Sequence, residues 1–185
     1  MRLPLPVKGE LLPDTAEVIR VIRKDNRFIP DDALLPISEA FVPTSEDKRI
    51  AAEHGEPVRV SVWDSRWTTV EQAKSFRKTE DLVWVFGASV NDLHAVGCKF
   101  SNPRLRVVAD PLDPEDGAGA LGHCGIEGLD REKGSDRLRH KELLDEIAIK
   151  FSKSYQDGPL ESRPSSPSSE SSPEVASQNK PSGPL

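Results

Sequence analysis

The sequence predicts a small α/β or α+β domain, a single sheet with packed helices, followed by a disordered C-terminal tail. Three observations lead there. Short β-branched runs alternate with segments of helical spacing from about residue 14 to residue 151. Beyond Gln156 that periodicity stops and Ser and Pro dominate. A chain of 185 residues suits one core with an appendage and is cramped for two. The expected division is a folded region over 1–156, with a proline-broken N-terminal part, and a tail over 157–185.

The elements follow in order. "LLPDTAEVIRVIRKDNRF" offers a helix start at Asp14 with Glu17 as its reciprocal cap, yet "VIRVI" is β-branched and partly alternating. A strand and a short helix capping a sheet both stay open, with Val18, Ile19 and Ile22 facing inward. Pro30, Pro36, Pro43, Gly55 and Pro57 break residues 30–57, so ordered loop is expected there, with one short strand at "AFVP". "VRVSVW" alternates Val58, Val60 and Val62 against Arg59 and Ser61, the period of a strand with one face on the core.

Thr68 and Glu71 form a capping-box pattern for a helix over "VEQAKSFRK", and "LVWVF" at 82–86 reads as a strand covered on both sides. Ser89 and Asp92 begin another helix, which Gly97 is expected to end; "CKF" and "LRVVAD" then read as strand. "PLDPEDGAGALG" is a turn-rich acidic surface excursion. From Ser135 or Asp136 the pattern gives the clearest helix, with Leu138, Leu144, Ile147, Ala148 and Phe151 inward and the pairs Lys141–Asp145 and Glu146–Lys150 four apart.

Composition narrows the function. A formal net charge of −6 works against attraction to phosphate backbones or anionic lipid, so nucleic acid is not an expected partner. A basic stripe of Arg20, Arg23, Lys24 and Arg27 would form only if the first segment were helical. No apolar run reaches the roughly 20 residues a membrane span requires, and "MRLPLPVKGELLPD" lacks the apolar core of a signal peptide; a cytoplasmic location is the expectation. Two cysteines, Cys98 and Cys124, are too few for a secreted disulfide scaffold and are expected as free thiols. Ser166, Ser169 and Ser172 in the tail are candidate phosphate acceptors, although a solubilising appendage is the plainer reading.

Chemistry concentrates around "LGHCGIEGLDREKG", residues 121–134, where a histidine adjoins a cysteine between glycines. His94, Cys98, His123 and Cys124 are the right ligand types for zinc, but adjacent His123 and Cys124 point oppositely in an extended chain, so neither a metal nor a cofactor is expected. Cys124 could act as a nucleophile with His94 as base and the neighbouring glycines exposing amides, although the strand, turn and helix order of a nucleophile elbow is missing. His123 and Glu127 fall on one face if "HCGIE" is a strand, with Asp110 near them and Ile126 and Leu129 flooring the site.

The aromatic turn "VWDSRWTT" points elsewhere. Trp63, Asp64, Arg66 and Trp67 have the residue types that anchor a protein partner. Gly87 follows a strand and precedes a helix, but "FGASVNDLHAVG" lacks the glycines and lysine of a phosphate loop. The expected function is therefore a small intracellular accessory or protein-interaction protein without catalysis. The alternative is a hydrolase-like enzyme using His94, Asp110, His123, Cys124 and Glu127.

Overall fold

The β-branched runs pair into one antiparallel sheet. In a computed structural model, the described residues are 4–23, 36–76, 83–131, 134–151 and 153–155, and they form an α+β fold. The strands are β1 (Glu17–Arg23), β2 (Arg59–Asp64), β3 (Val83–Ser89), β4 (Arg106–Ala109), β5 (His123–Glu127) and β6 (Lys153–Tyr155), in the order β4-β5-β2-β1-β3-β6. The helices are α1 (Ser45–His54), α2 (Val70–Ser75), α3 (Val90–Lys99) and α4 (Arg137–Lys150). The tail over 157–185 lies outside the described residues.

The register sorts side chains onto two faces. Trp63 pairs with Ile19 and His123, and Gly125 with Ser61 and Val108, so Ile19, Val21, Arg59, Ser61, Trp63, Val85, His123 and Glu127 share one face. There α2 covers only one end, through Val70, Ala73 and Phe76 over Ile19, Val21, Trp63 and Val85. The other face carries Val18, Ile22, Val60, Val62, Phe86, Val107, Cys124 and Ile126 under α3 and α4. Leu143, Leu144, Ile147 and Ala148 form the buried side of α4, and Phe151 closes it against Phe41 at 4.8 Å between ring centroids. Each such buried apolar side chain stabilises the fold by roughly 1.5–3 kcal/mol.

The first segment is a strand, not a capped helix. Its β-branched residues alternate between both covered faces, which favours a central strand over a helix with one apolar stripe. β1 and β2 stay paired only at Val18–Asp64 and Ile19–Trp63; beyond that point the Arg20 guanidinium fills the gap, donating to the carbonyls of Ser61 and Ala40. With strand geometry the basic stripe breaks up, and Lys24 and Arg27 lie outside the described residues.

Several local expectations are corrected. "AFVP" is not a strand; Ser38–Phe41 make a 3-10 turn that sends Phe41 into the core. Within the expected loop over 30–57 lies α1, which has a complete Thr44–Asp47 capping box and ends at left-handed Gly55. Only Ala51 of that helix is buried, so it has no apolar stripe to read. α2 starts one residue later than expected, with Thr69 and Gln72 as the box, because the Thr68 hydroxyl is turned inward to donate to the Gly119 carbonyl at 2.7 Å. Gly97 does not end α3; it is buried inside the helix, where it lets Leu105 pack closely, and Cys98 and Lys99 are helical rather than strand. Leu138 is exposed while Leu143 takes the inward position, and Glu146 pairs with Lys99 at 2.6 Å. The Lys141–Asp145 pair forms at 2.9 Å.

Before β1, residues 9–12 lie along the outer edge of β4. Gly9 N–H donates to the Ala109 carbonyl at 2.7 Å, Ala109 N–H to Glu10 at 2.8 Å, and Leu12 N–H to Val107 at 3.0 Å. This N-terminal strap covers an edge whose backbone groups would otherwise face water or another chain.

Candidate functional site

The His-Cys corner is β5 itself, and extension splits the pair as alternation requires. Cys124 turns to the α3–α4 face, is 2% exposed and donates from Sγ to the Gly122 carbonyl at 3.2 Å. Burial, with the nearby Asp64 charge, pushes its thiol up to about 12. Such a thiol is not ionised near neutrality and so is a poor nucleophile. Gly122 permits the corner to close: a side chain there would begin 1.8 Å from the Thr68 hydroxyl oxygen.

His123 turns to the opposite face, beneath the edge of Trp63 at 5.0 Å between centroids. Its Nδ1 lies 2.8 Å from the Asp110 carbonyl oxygen, an atom that can only accept, so Nδ1 carries the proton. Nε2 is then the bare nitrogen, and it receives the Ser61 hydroxyl proton across 2.8 Å. Burial and the Arg59 charge push the imidazole below its ordinary value, against the hydrogen bond and charge from Asp110. The neutral ring is thus favoured.

An ion network borders this pair. Glu127, 3% exposed, accepts from Arg59 Nε at 2.9 Å and Arg106 Nε at 2.5 Å. Arg59 Nη1 reaches Glu56 at 2.9 Å and Asp110 at 3.2 Å, and Lys8 bridges Glu56 and Asp110 at 2.7 and 3.7 Å. Gly125 allows the Arg59 stem to lie flat on the sheet, since a Cβ there would approach it to 2.6 Å. Two guanidinium donors engage this one buried carboxylate, which makes Glu127 a structural anchor of the sheet face.

A cleft of about 510 Å³ opens between the strap and the β2–α2 turn. Its apolar walls come from Leu5, Val7, Leu11 and Leu12 of the strap and from Trp67 and Leu121 opposite. Its floor holds Cys124 and the Asp64–Arg66 pair, in which Asp64 accepts Arg66 Nη2 at 2.6 Å and Nε at 2.9 Å. Leu5, Val7 and Leu11 are 70%, 63% and 54% exposed, three of the seven large apolar side chains exposed among the described residues. Their grouping gives this cleft a rim of exposed apolar side chains.

The sequence candidates therefore separate. Asp110 and His123 meet, and Glu127 shares their face inside the arginine clamp. Cys124 is behind the sheet, and His94 sits on α3 with Nδ1 donating to Asp14 at 2.6 Å. Trp63 is buried against Phe76 at 4.5 Å, so of the aromatic pair only Trp67 lines the cleft, beside Asp64 and Arg66. Both cysteines are unpaired, Cys98 exposed and Cys124 buried. Among the described residues no group of three or more His, Cys, Asp or Glu side chains is placed to hold a metal, and no helix is long and apolar enough to cross a membrane.

Sequence reasoning missed Ser61, Arg59, Arg106 and the strap leucines. Alternation in "VRVSVW" already placed Arg59, Ser61 and Trp63 on one face; what was not legible was the β2–β5 pairing that sets Ser61 diagonally beside His123. No family model, curated protein or solved structure matches the chain.

Proposed function

We propose that the chain is a protein-interaction module whose docking surface is the strap cleft, and that its partner presents an extended apolar segment. The supporting observation is the concentration of exposed Leu5, Val7 and Leu11 around an open cleft walled by Trp67. Exposing grouped apolar side chains to water is unfavourable in the free protein, and a partner that covers them recovers that loss. Trp67 supplies a large, rigid ring to the wall, a residue type enriched among binding hot spots. The Asp64–Arg66 pair on the floor is internally neutralised, and Glu10 adds a carboxylate to the lining.

Among the catalytic candidates, two have given up their chemistry to the fold. Cys124 is buried and protonated, and Glu127 is locked between arginines. This distribution favours binding over hydrolysis by the His/Cys/acidic set.

The experiment is selection of a random-peptide display library on the immobilised full chain, followed by affinity measurement with the enriched peptides. Peptides rich in apolar residues are expected, with binding weakened by about 2 kcal/mol, roughly 30-fold, in Trp67→Ala. Leu5→Asp with Val7→Asp, both on the exposed strap, should weaken the same peptides without lowering the melt. Failure to enrich, or peptides indifferent to these substitutions, would contradict the reading.

A further inference from the structure

The face opposite Cys124 carries a group that the docking reading does not use. Ser61 is exposed on β2, its hydroxyl 2.8 Å from His123 Nε2, and His123 Nδ1 is anchored 2.8 Å from the Asp110 carbonyl. The Asp110 carboxylate also stands 3.8 Å from Nδ1. We propose that Ser61 is an activated nucleophile, with His123 as its general base and Asp110 as the positioning residue, and that it accepts an acyl group from an activated ester or thioester.

The argument begins with the tautomer. A carbonyl oxygen cannot donate, so the neutral ring must carry its proton on Nδ1 and offer the lone pair of Nε2 to Ser61. A serine hydroxyl alone is weakly nucleophilic, and an adjacent oriented base is what activates it. The ring is held against rotation on two sides. Trp63 packs edge-on at 5.0 Å, itself backed by Phe76, and the Asp110 carbonyl fixes the far nitrogen. Ser61 remains open to solvent while His123 lies beneath it, so an electrophile reaches oxygen before nitrogen.

The step balances without a further reactant. Ser61 Oγ forms a bond to the acyl carbon as its proton passes to His123 Nε2. The bond from that carbon to the leaving oxygen or sulfur breaks, and the leaving group departs with the proton from Nε2. The product is acyl-Ser61 and a neutral histidine. Arg59, the cation that acts on His123, is committed to Glu127, Asp110 and Glu56 within 3.2 Å, and the Arg20 guanidinium is committed to the Ser61 and Ala40 carbonyls, which leaves both little capacity to stabilise an oxyanion. Oxyanion donors are worth about 10²–10³ in rate, and their absence slows both steps; only the first has an activated leaving group to offset it, so the expected chemistry is one acylation per chain followed by slow deacylation.

Charges on every side of His123 set its response to pH. Asp110 at the end of β4 and Arg59 on β2 act on it directly; Glu127 on β5 is held by two arginines, and Lys8 stands 3.7 Å from the Asp110 carboxylate. α2 brings Glu71 and Lys74, paired with each other at 3.5 Å. With the imidazole pKa below the ordinary 6.5, the base stays neutral down to a lower pH than free histidine would.

The test uses the full chain and para-nitrophenyl acetate, with acetylation followed by peptide mass spectrometry at the Ser61 peptide against pH. The expected result is one acetyl group on Ser61, forming at a rate that falls as pH drops through a midpoint below 6.5. Ser61→Ala should abolish that label, and His123→Gln should slow labelling of Ser61 by about 100-fold. Should His123→Gln fail to fold, the pH profile of the unmodified chain decides. No label on Ser61, or labelling without the histidine inflection, overturns the proposal; neither outcome bears on peptide binding at the strap cleft, which lies across the sheet.

Discussion

At the scale of residues, one strand gives two neighbours opposite fates. His123 and Cys124 share a peptide bond, yet the first faces a serine and water while the second faces the core. Placement also decides which cysteine reacts. Cys98 is exposed on α3, and Cys124 is buried with its thiol pushed up to about 12. Iodoacetamide at pH 8 should alkylate Cys98 in the native chain and leave Cys124 unmodified until denaturant is added; equal modification of both would contradict the buried placement. The types and faces of His123, Glu127 and Asp110 were legible because a strand's period is two. Ser61 was not, because a diagonal neighbour depends on register, and register comes from pairing partners far apart in sequence.

At the scale of elements, legibility followed burial. β2, β3, β4 and β5 carry their patterns because one or both faces are covered, and α4 shows its apolar side for the same reason. α1 shows nothing, since only Ala51 is buried, and its helicity rests on the Thr44–Asp47 box, Gly55 and surface ion pairs between Arg49 and both Glu46 and Glu53. An element held by its ends should yield at its ends. Thr44→Ala should weaken α1 by about 1 kcal/mol, seen as faster amide exchange over 45–54 with the global melt little changed. A large drop in global stability would mean that α1 is packed more tightly than its exposure indicates. Gly97 was misread because a glycine near a helix end resembles a stop, whereas here its missing side chain admits Leu105.

At the scale of the whole molecule, the sheet divides its uses. One side is filled by α3 and α4; the other is half covered by α2 and leaves the Ser61–His123 pair and the arginine clamp in reach of solvent. The β4 edge is closed by the strap, whose apolar side chains are left outside. The fold class was legible from alternating elements, but strand order was not, and the cleft exists only because β4 and the β2–α2 turn come together with the N-terminal strap. Amide hydrogen exchange of the full chain, alone and saturated with an enriched peptide, tests the docking account most directly. Slowed exchange confined to residues 5–12, 64–67 and 107–109 is the predicted result; slowing confined to the helices α3 and α4 themselves, or no slowing anywhere, would contradict it.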